Sequence, residues 1–115
     1  MGRSLGIKGE SLAQDYLRKK GYSILWRNYR TSFGEMDLVG VQGDTLVFIE
    51  VKTRRSNQFG LPREAVNFKK QQQYYRLAQH FLQHHPQCYP NTRFDVIEIY
   101  VLDTQYRIEH LENAF

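Results

Sequence analysis

Four residues in the first half of the chain have the types and spacing of a hydrolytic metal site: Glu35 and Asp37, then Glu50 and Lys52, each pair two residues apart. Residues two apart on a strand share a face. A tight turn at Gln42-Gly43-Asp44 that sets Val41 against Asp44 would face Leu38 with Val47 and Met36 with Ile49, gathering apolar side chains on one side. The other side then holds Glu35, Asp37, Phe48, Glu50 and Lys52. Carboxylates crowded together raise one another's pKa unless a cation intervenes, so a bound cation explains the cluster economically. Oxygen donors suit Mg2+, with Mn2+ as its substitute, better than Zn2+, which prefers His and Cys. Lys52 would help activate water and offset charge growing on a phosphoryl oxygen. Glu35 would support Asp37 or add a further ligand.

A Glu-x-Lys string is common, and an ion pair on an exposed strand is its ordinary meaning. Here it is embedded in Leu46-Val47-Phe48-Ile49-Glu50-Val51-Lys52, apolar on both faces, where charge needs a reason.

The elements that position these residues follow from periodicity. Residues 5 to about 20 predict an amphipathic helix with Leu5, Leu12, Ala13, Tyr16 and Leu17 on one side and Gly21 as its stop. Strands are expected at Tyr22 to Arg30, Glu35 to Val41 and Thr45 to Thr53, then a polar loop from Arg54 to Pro62. A second helix is expected from about Arg63 to His84, started by Pro62 and Glu64, with Val66, Tyr74, Leu77, Ala78, Phe81 and Leu82 at helical spacing. Arg93 to Val101 and Tyr106 to Leu111 predict two last strands. The order is αβββαββ in one domain over residues 1–115, an α/β fold with a mixed sheet.

At 115 residues the chain can bury a real core. It has no apolar run long enough to cross a bilayer and no secretory signal, so a cytoplasmic protein without a membrane partner is expected. A single cysteine, Cys88, excludes an internal disulfide. Charge is segregated: residues 94–115 hold five acids and one base, and residues 1–93 hold fifteen bases and seven acids. A basic surface of this kind fits an anionic partner such as nucleic acid.

Asp37, a hairpin and then Glu50-Val51-Lys52 resembles the PD-(D/E)XK superfamily of restriction-endonuclease-like and Holliday-junction-resolvase-like nucleases, whose core has an αβββαβ order. The superfamily's proline is replaced by Met36. Gly9-Glu10, Asn28-Tyr29-Arg30, Gly34 to Leu38, Val47 to Arg54, Lys70, Arg93-Phe94-Asp95 and Asn113-Ala114-Phe115 together look like the YraN family of uncharacterised bacterial proteins, over nearly the whole chain. The resemblance implies Asp37 and Glu50 as metal ligands, the Val51 carbonyl as a third, and Lys52 as the catalytic lysine. Glu10 matches an acid that related resolvases carry on the first helix, and a first-turn acid favoured by the helix dipole is its other reading. Lys70 matches a Lys or Gln brought towards the site.

The resemblance implies a Mg2+-dependent endonuclease on DNA, including branched or structured DNA. The alternatives are a nucleic-acid-binding or scaffolding protein that keeps the fold without turnover, and a module whose basic face meets an acidic protein. Arg54, Arg55 and Lys70 are the expected phosphate contacts, with Arg63 beside them. Cutting two strands at once would call for a homodimer.

Other residues invite chemistry less strongly. Tyr29, Phe33, Phe59 and Phe68 would stack on bases or build the core. His80 and His84 stand four apart, but no general-base Glu lies between them and only the remote Cys88 offers a third ligand, so cationic histidines near a helix C-terminus are expected. Arg93 and Asp95 are expected to form an internal ion pair, and Ala114-Phe115 to dock on the domain or on a partner chain.

Overall fold

The computed structural model describes residues 2–55, 66–85 and 89–115, with side chains from Lys8 onward in the first helix. Helix α1 spans Gly2–Lys19, followed by strands β1 (Ser23–Thr31), β2 (Gly34–Gln42) and β3 (Thr45–Arg55), helix α2 (Phe68–His84), and strands β4 (Asn91–Val101) and β5 (Tyr106–Leu111). The strands form one mixed sheet in the order β1-β2-β3-β4-β5. Only β3 and β4 run parallel, because α2 carries the chain across between them. This is the expected α/β order with the extra C-terminal strand.

Alternation along β3 builds a core on each face. Leu46 and Phe48 join Tyr74, Leu77 and Phe81 beneath α2. Val47 and Ile49 join Ala13, Leu17, Ile97 and Ile99 beneath α1. Helix α1 closes at Gly21, whose φ of 90° suits a residue without a Cβ and lets the Tyr22 N–H return to the Leu17 carbonyl at 3.0 Å.

The β2–β3 turn lies one residue further along the chain than expected. Gln42 pairs with Thr45, Leu38 faces Ile49 rather than Val47, and Gly43 takes φ 60° at the first of two turn positions, the type II′ pattern. The register moves by two residues, which leaves every β3 side chain on its expected face.

Met36 is the exception. It packs with Tyr29 and Val39 in the core beneath α2, whereas Leu38 packs in the core beneath α1. Alternation therefore breaks at Asp37, and across from it in the β1 ladder Asn28 adopts φ 52°. Such a break re-aims a side chain, here the acid between the two apolar residues.

Helix α2 begins at Phe68, later than expected, because the Asn67 side chain accepts the Lys70 N–H at 2.8 Å and caps it. Val66 therefore precedes the helix, and Leu82 is partly exposed. Pro62, Arg63, Glu64 and Phe59 lie outside the described residues, as does Cys88. Among the described residues no helix is long and apolar enough to cross a membrane.

Candidate metal centre

The β2–β3 ladder runs as far as Leu38 and Ile49, and the site begins one step beyond. There the Val51 N–H donates to the Asp37 carboxylate at 2.7 Å, so a side chain completes the strand pairing. The N–H and C=O of a strand residue point the same way, so the Val51 carbonyl is directed towards the Asp37 side as well. Strand β3 leaves the core here: Leu46 to Ile49 are buried, whereas Glu50 to Arg54 are half-buried.

Glu50 shares its face with Phe48, towards α2, and Lys70 in the first turn of that helix reaches its Oε1 at 3.1 Å. The second oxygen, Glu50 Oε2, is buried without a hydrogen-bond partner among the described residues. Tyr74, one turn beyond Lys70, is fully buried beside Asp37 and Glu50. Burial first, then the two carboxylates, pushes its phenol far up, so it stays neutral. Burial also pushes the Asp37 carboxyl up to about 6, with Glu50 and Glu10 adding to the shift against the Val51 N–H and Lys70. Glu10, half-buried on α1, is raised by burial and by Glu35, and it stands within electrostatic reach of Glu35 and Asp37.

Asp37 and Glu50 thus meet, with Glu10 of a third element within electrostatic reach of Asp37; Glu50 has an oxygen without a partner among the described residues, and Asp37 and Glu10 have raised pKa values. The donor set is all oxygen, and a cation beside Glu50 Oε2 would satisfy the buried atom and lower the cost of ionising Asp37. The residues fit a hard divalent cation.

The remaining candidates fall at different distances from this point. Lys52 follows Glu50 on the same strand face, half-buried, and is paired in register with Glu98 of β4. Arg54 is drawn to the buried Glu98, Nε to Oε2 at 2.9 Å, instead of facing solvent. Arg55 is exposed. Glu35 makes an exposed ion pair with Arg30 at 2.8 Å across the β1–β2 hairpin, which accounts for its charge without a ligand role.

Tyr74 is the member that sequence reading missed. Its signal was present as Lys70-x-x-x-Tyr74, one helical turn that aims a cation and a phenol the same way.

Away from this centre, Arg93 holds the fully buried Asp95 by two bonds of 2.9 Å, as expected. His110 Nε2 lies 2.7 Å from the same carboxylate, and Tyr16 closes the chain on His110 Nδ1 at 3.2 Å. Asp95, His110 and Glu112 have the grouping of a metal site. The Arg93 guanidinium already fills the cationic position, 3.7 Å from Glu112.

The aromatic residues sort mainly by burial. Tyr29 is core and Phe33 is partly buried, while Phe68 is exposed. Phe115 docks on the domain itself, against Tyr74, Tyr75 and Phe94. The expectation of cationic histidines fails at His80, whose pKa is lowered by desolvation and by its neighbours His84 and His85.

Fold and site together define a mixed α/β protein with a carboxylate–lysine cluster where a strand ladder opens. A sequence profile described as "Uncharacterised protein family UPF0102" matches residues 9–99, and the chain belongs to that family, the YraN family it resembles. It is 49% identical over 117 residues to a UPF0102 protein of Alkaliphilus oremlandii and 50% identical over 115 residues to one of Syntrophomonas wolfei, each match covering 100% of both chains. A third relative, from Thermodesulfovibrio yellowstonii, is 49% identical over 111 residues, covering 96% of this chain and 95% of the relative. Among solved structures, SfsA of Pyrococcus furiosus in complex with Ca2+ superimposes with a TM-score of 0.43 at 12% identity, covering 96% of this chain and 63% of that one.

Proposed function

We propose that this protein is a divalent-cation-dependent phosphodiesterase acting on DNA, with branched or otherwise structured DNA as its substrate class. The observation that carries the reading is the placement of Asp37 beside β3 next to Glu50, whose Oε2 is buried with no partner among the described residues. Asp37, Glu50 and the Val51 carbonyl would hold Mg2+ or Mn2+, with Glu10 completing the acidic side. Once bound, the cation supplies Lewis-acid polarisation of the phosphodiester and a more acidic water.

The chain's own residues would do the rest. Lys52, on the face shared with Glu50, offsets the negative charge that grows on a phosphoryl oxygen. Lys70 holds Glu50 in place and adds positive charge at the entrance, while exposed Arg55 meets the DNA backbone. Tyr74 closes the rear of the carboxylates against water. Arg54, committed to Glu98, braces β3 and is not assigned a phosphate contact.

A second reading is favoured by the Lys70–Glu50 pair, because a lysine already supplies Glu50 with a counter-charge. It is a protein that binds nucleic acid over the same surface without turnover.

One experiment separates the two. The parent, Lys52→Ala and Asp37→Asn proteins, purified identically, are incubated with junctions, flaps, single strands and duplex DNA in Mg2+ or Mn2+. The phosphodiesterase reading expects metal-dependent cleavage that falls about 10²-fold or more in Lys52→Ala while DNA binding persists. Cleavage unchanged in both variants overturns the assigned site. Salt-sensitive binding with no cleavage of any substrate selects the second reading.

A further inference from the structure

Helix α2 is charged in one sense only. Its residues, Phe68–His84, include Lys69, Lys70, Arg76, two histidines and five glutamines, and no aspartate or glutamate. A solvated helix ordinarily mixes both signs along its outer face, where opposite charges three or four residues apart support it. Lys69, Gln73, Arg76 and His80 follow one another at intervals of four, three and four residues, so they form a single stripe. The stripe runs along the flank of α2 that meets the β1–β2 hairpin. Gln73 Nε2 donates to the Phe33 carbonyl at 2.8 Å, the Arg76 guanidinium lies over the Phe33 ring at 4.6 Å, and the His80 and Phe33 rings meet edge to face. Lys70 turns aside from the stripe to Glu50, so the stripe starts, at Lys69, from the end of α2 where the carboxylates lie.

Arg76 is the informative member. It is exposed and rests on an aromatic face, yet among the described residues it has no carboxylate partner. A stacked guanidinium has given up part of its rotamer freedom while its N–H donors stay open, which prepares it for an oxyanion arriving from solvent. Lys69, equally exposed, stands two turns earlier, about 10 Å along the helix axis. Phosphates of one strand of a duplex recur about every 3.4 Å along its axis, so the two cations would meet phosphates about three steps apart. A helix holds its side chains at a fixed spacing and a duplex does the same with its phosphates. A single strand has no such fixed row to offer.

We propose that the stripe from Lys69 to Arg76 is a binding track for the backbone of double-stranded DNA, which holds the duplex arm of the substrate leading away from the phosphate to be cut. The inference rests on the reading of DNA as the substrate and assigns its duplex part to the flank of α2. Lys69 and Arg76 make the phosphate contacts. Phe33 positions the Arg76 guanidinium, and the Gln73 bond to the Phe33 carbonyl keeps the hairpin against the helix. Contacts of this kind carry affinity and register but no base sequence.

The test is the affinity of the full-length protein for a duplex and for a single strand of the same sequence, read by fluorescence anisotropy in Ca2+ across about 50–200 mM salt. Lys69→Ala and Arg76→Ala, at exposed positions, should keep the parent's Tm. Each is expected to lower the slope of log affinity against log salt by about 0.9, which is about eightfold weaker duplex binding at about 0.1 M salt when the curves meet near about 1 M. Phe33→Leu keeps the charge and removes the platform, so it should retain the slope and weaken binding about twofold to fivefold. Lys19→Ala makes the same change of net charge on α1, across the sheet, and should leave slope and affinity unmoved. The inference is overturned if Arg76→Ala keeps the parent's slope, if Lys19→Ala loses as much as Arg76→Ala, or if single-strand binding falls as far as duplex binding. Any of these leaves the phosphodiesterase reading standing, because Asp37, Glu50 and Lys52 are unchanged in every variant. A parent that binds no DNA overturns both, and a parent that binds through the stripe but cuts nothing upholds the stripe and overturns the phosphodiesterase reading.

Discussion

Asp37 shows what the candidate centre demands of a single residue. Its carboxyl is pushed up to about 6 from the ordinary 3.8, chiefly by burial. The folded chain therefore holds a proton that the unfolded chain has already released, and stability contributed by Asp37 falls as pH rises from about 4 to about 6. The loss persists at neutral pH and amounts to roughly 2–3 kcal/mol. Asp37→Asn keeps an acceptor for the Val51 N–H and carries no charge. It is expected to be more stable than the parent by about 1–3 kcal/mol at pH 7 and to lose the slope between pH 4 and 6, read from urea midpoints across pH. Mg2+ should narrow the difference by stabilising the parent alone. A variant less stable than the parent at pH 7 would mean that Asp37 is a structural acid whose charge the fold needs.

At the scale of elements, the site depends on how closely α1 approaches β3. A Cβ built on Gly9 would stand 1.9 Å from Thr53 Oγ1 and 3.0 Å from Thr53 Cβ, so no side chain fits there without moving the helix. The next residue is Glu10, which shifts with it. Gly9→Ala is expected to cost about 1–3 kcal/mol by overpacking and to weaken Mg2+ binding, while Gly9→Ala with Thr53→Ala recovers most of the stability. A denaturation cycle on the four proteins reads the coupling, and strictly additive effects would refute the contact.

These elements were mostly legible in the sequence, because alternation in β3 and 3.6-residue spacing in α2 are local signals. The break at Asp37 has no local signal: Met36 and Leu38, two apart and both apolar, read as one face of a regular strand, yet they belong to different cores. Strict alternation predicts a regular strand where the chain departs from it. The register differs by two because the two-residue turn sits at Gly43-Asp44, one residue further along than a turn closing on Val41 and Asp44. Glu50, Lys52 and Asp37 could be paired from strand spacing alone. Lys70 and Tyr74 reach them only through the β3–α2–β4 crossover, a long-range contact that no local pattern announces, and it was the resemblance that brought Lys70 into view.

For the molecule as a whole, two aspartates, the half-buried Asp37 and the buried Asp95, set opposite pH dependences. Burial alone would raise Asp95, but the hydrogen bonds from His110 and Arg93, together with the Arg93 charge, outweigh it and hold its carboxyl below the usual 3.8. A lowered folded value means stability that is present above 3.8 and is lost as pH falls through the folded value. Asp95 thus guards the acid side while Asp37 weakens the fold from about pH 4 upward. The Asp95 network joins α1 through Tyr16, β4 through Arg93, β5 through His110, and the residues after β5 through the Asn113 N–H at 3.2 Å. Asp95→Asn leaves the Arg93 guanidinium half-buried without its carboxylate and should cost about 3–5 kcal/mol at pH 7, with the acid limb of the stability profile flattened. Amide exchange should rise first in β5 and the segment that seats Phe115 against Tyr74, since both are pinned from this point. An Asp95→Asn protein with the parent's acid limb would place acid sensitivity elsewhere, and unchanged exchange in β5 would show that Phe115 and the β4–β5 ladder hold that end of the molecule without the ionic network.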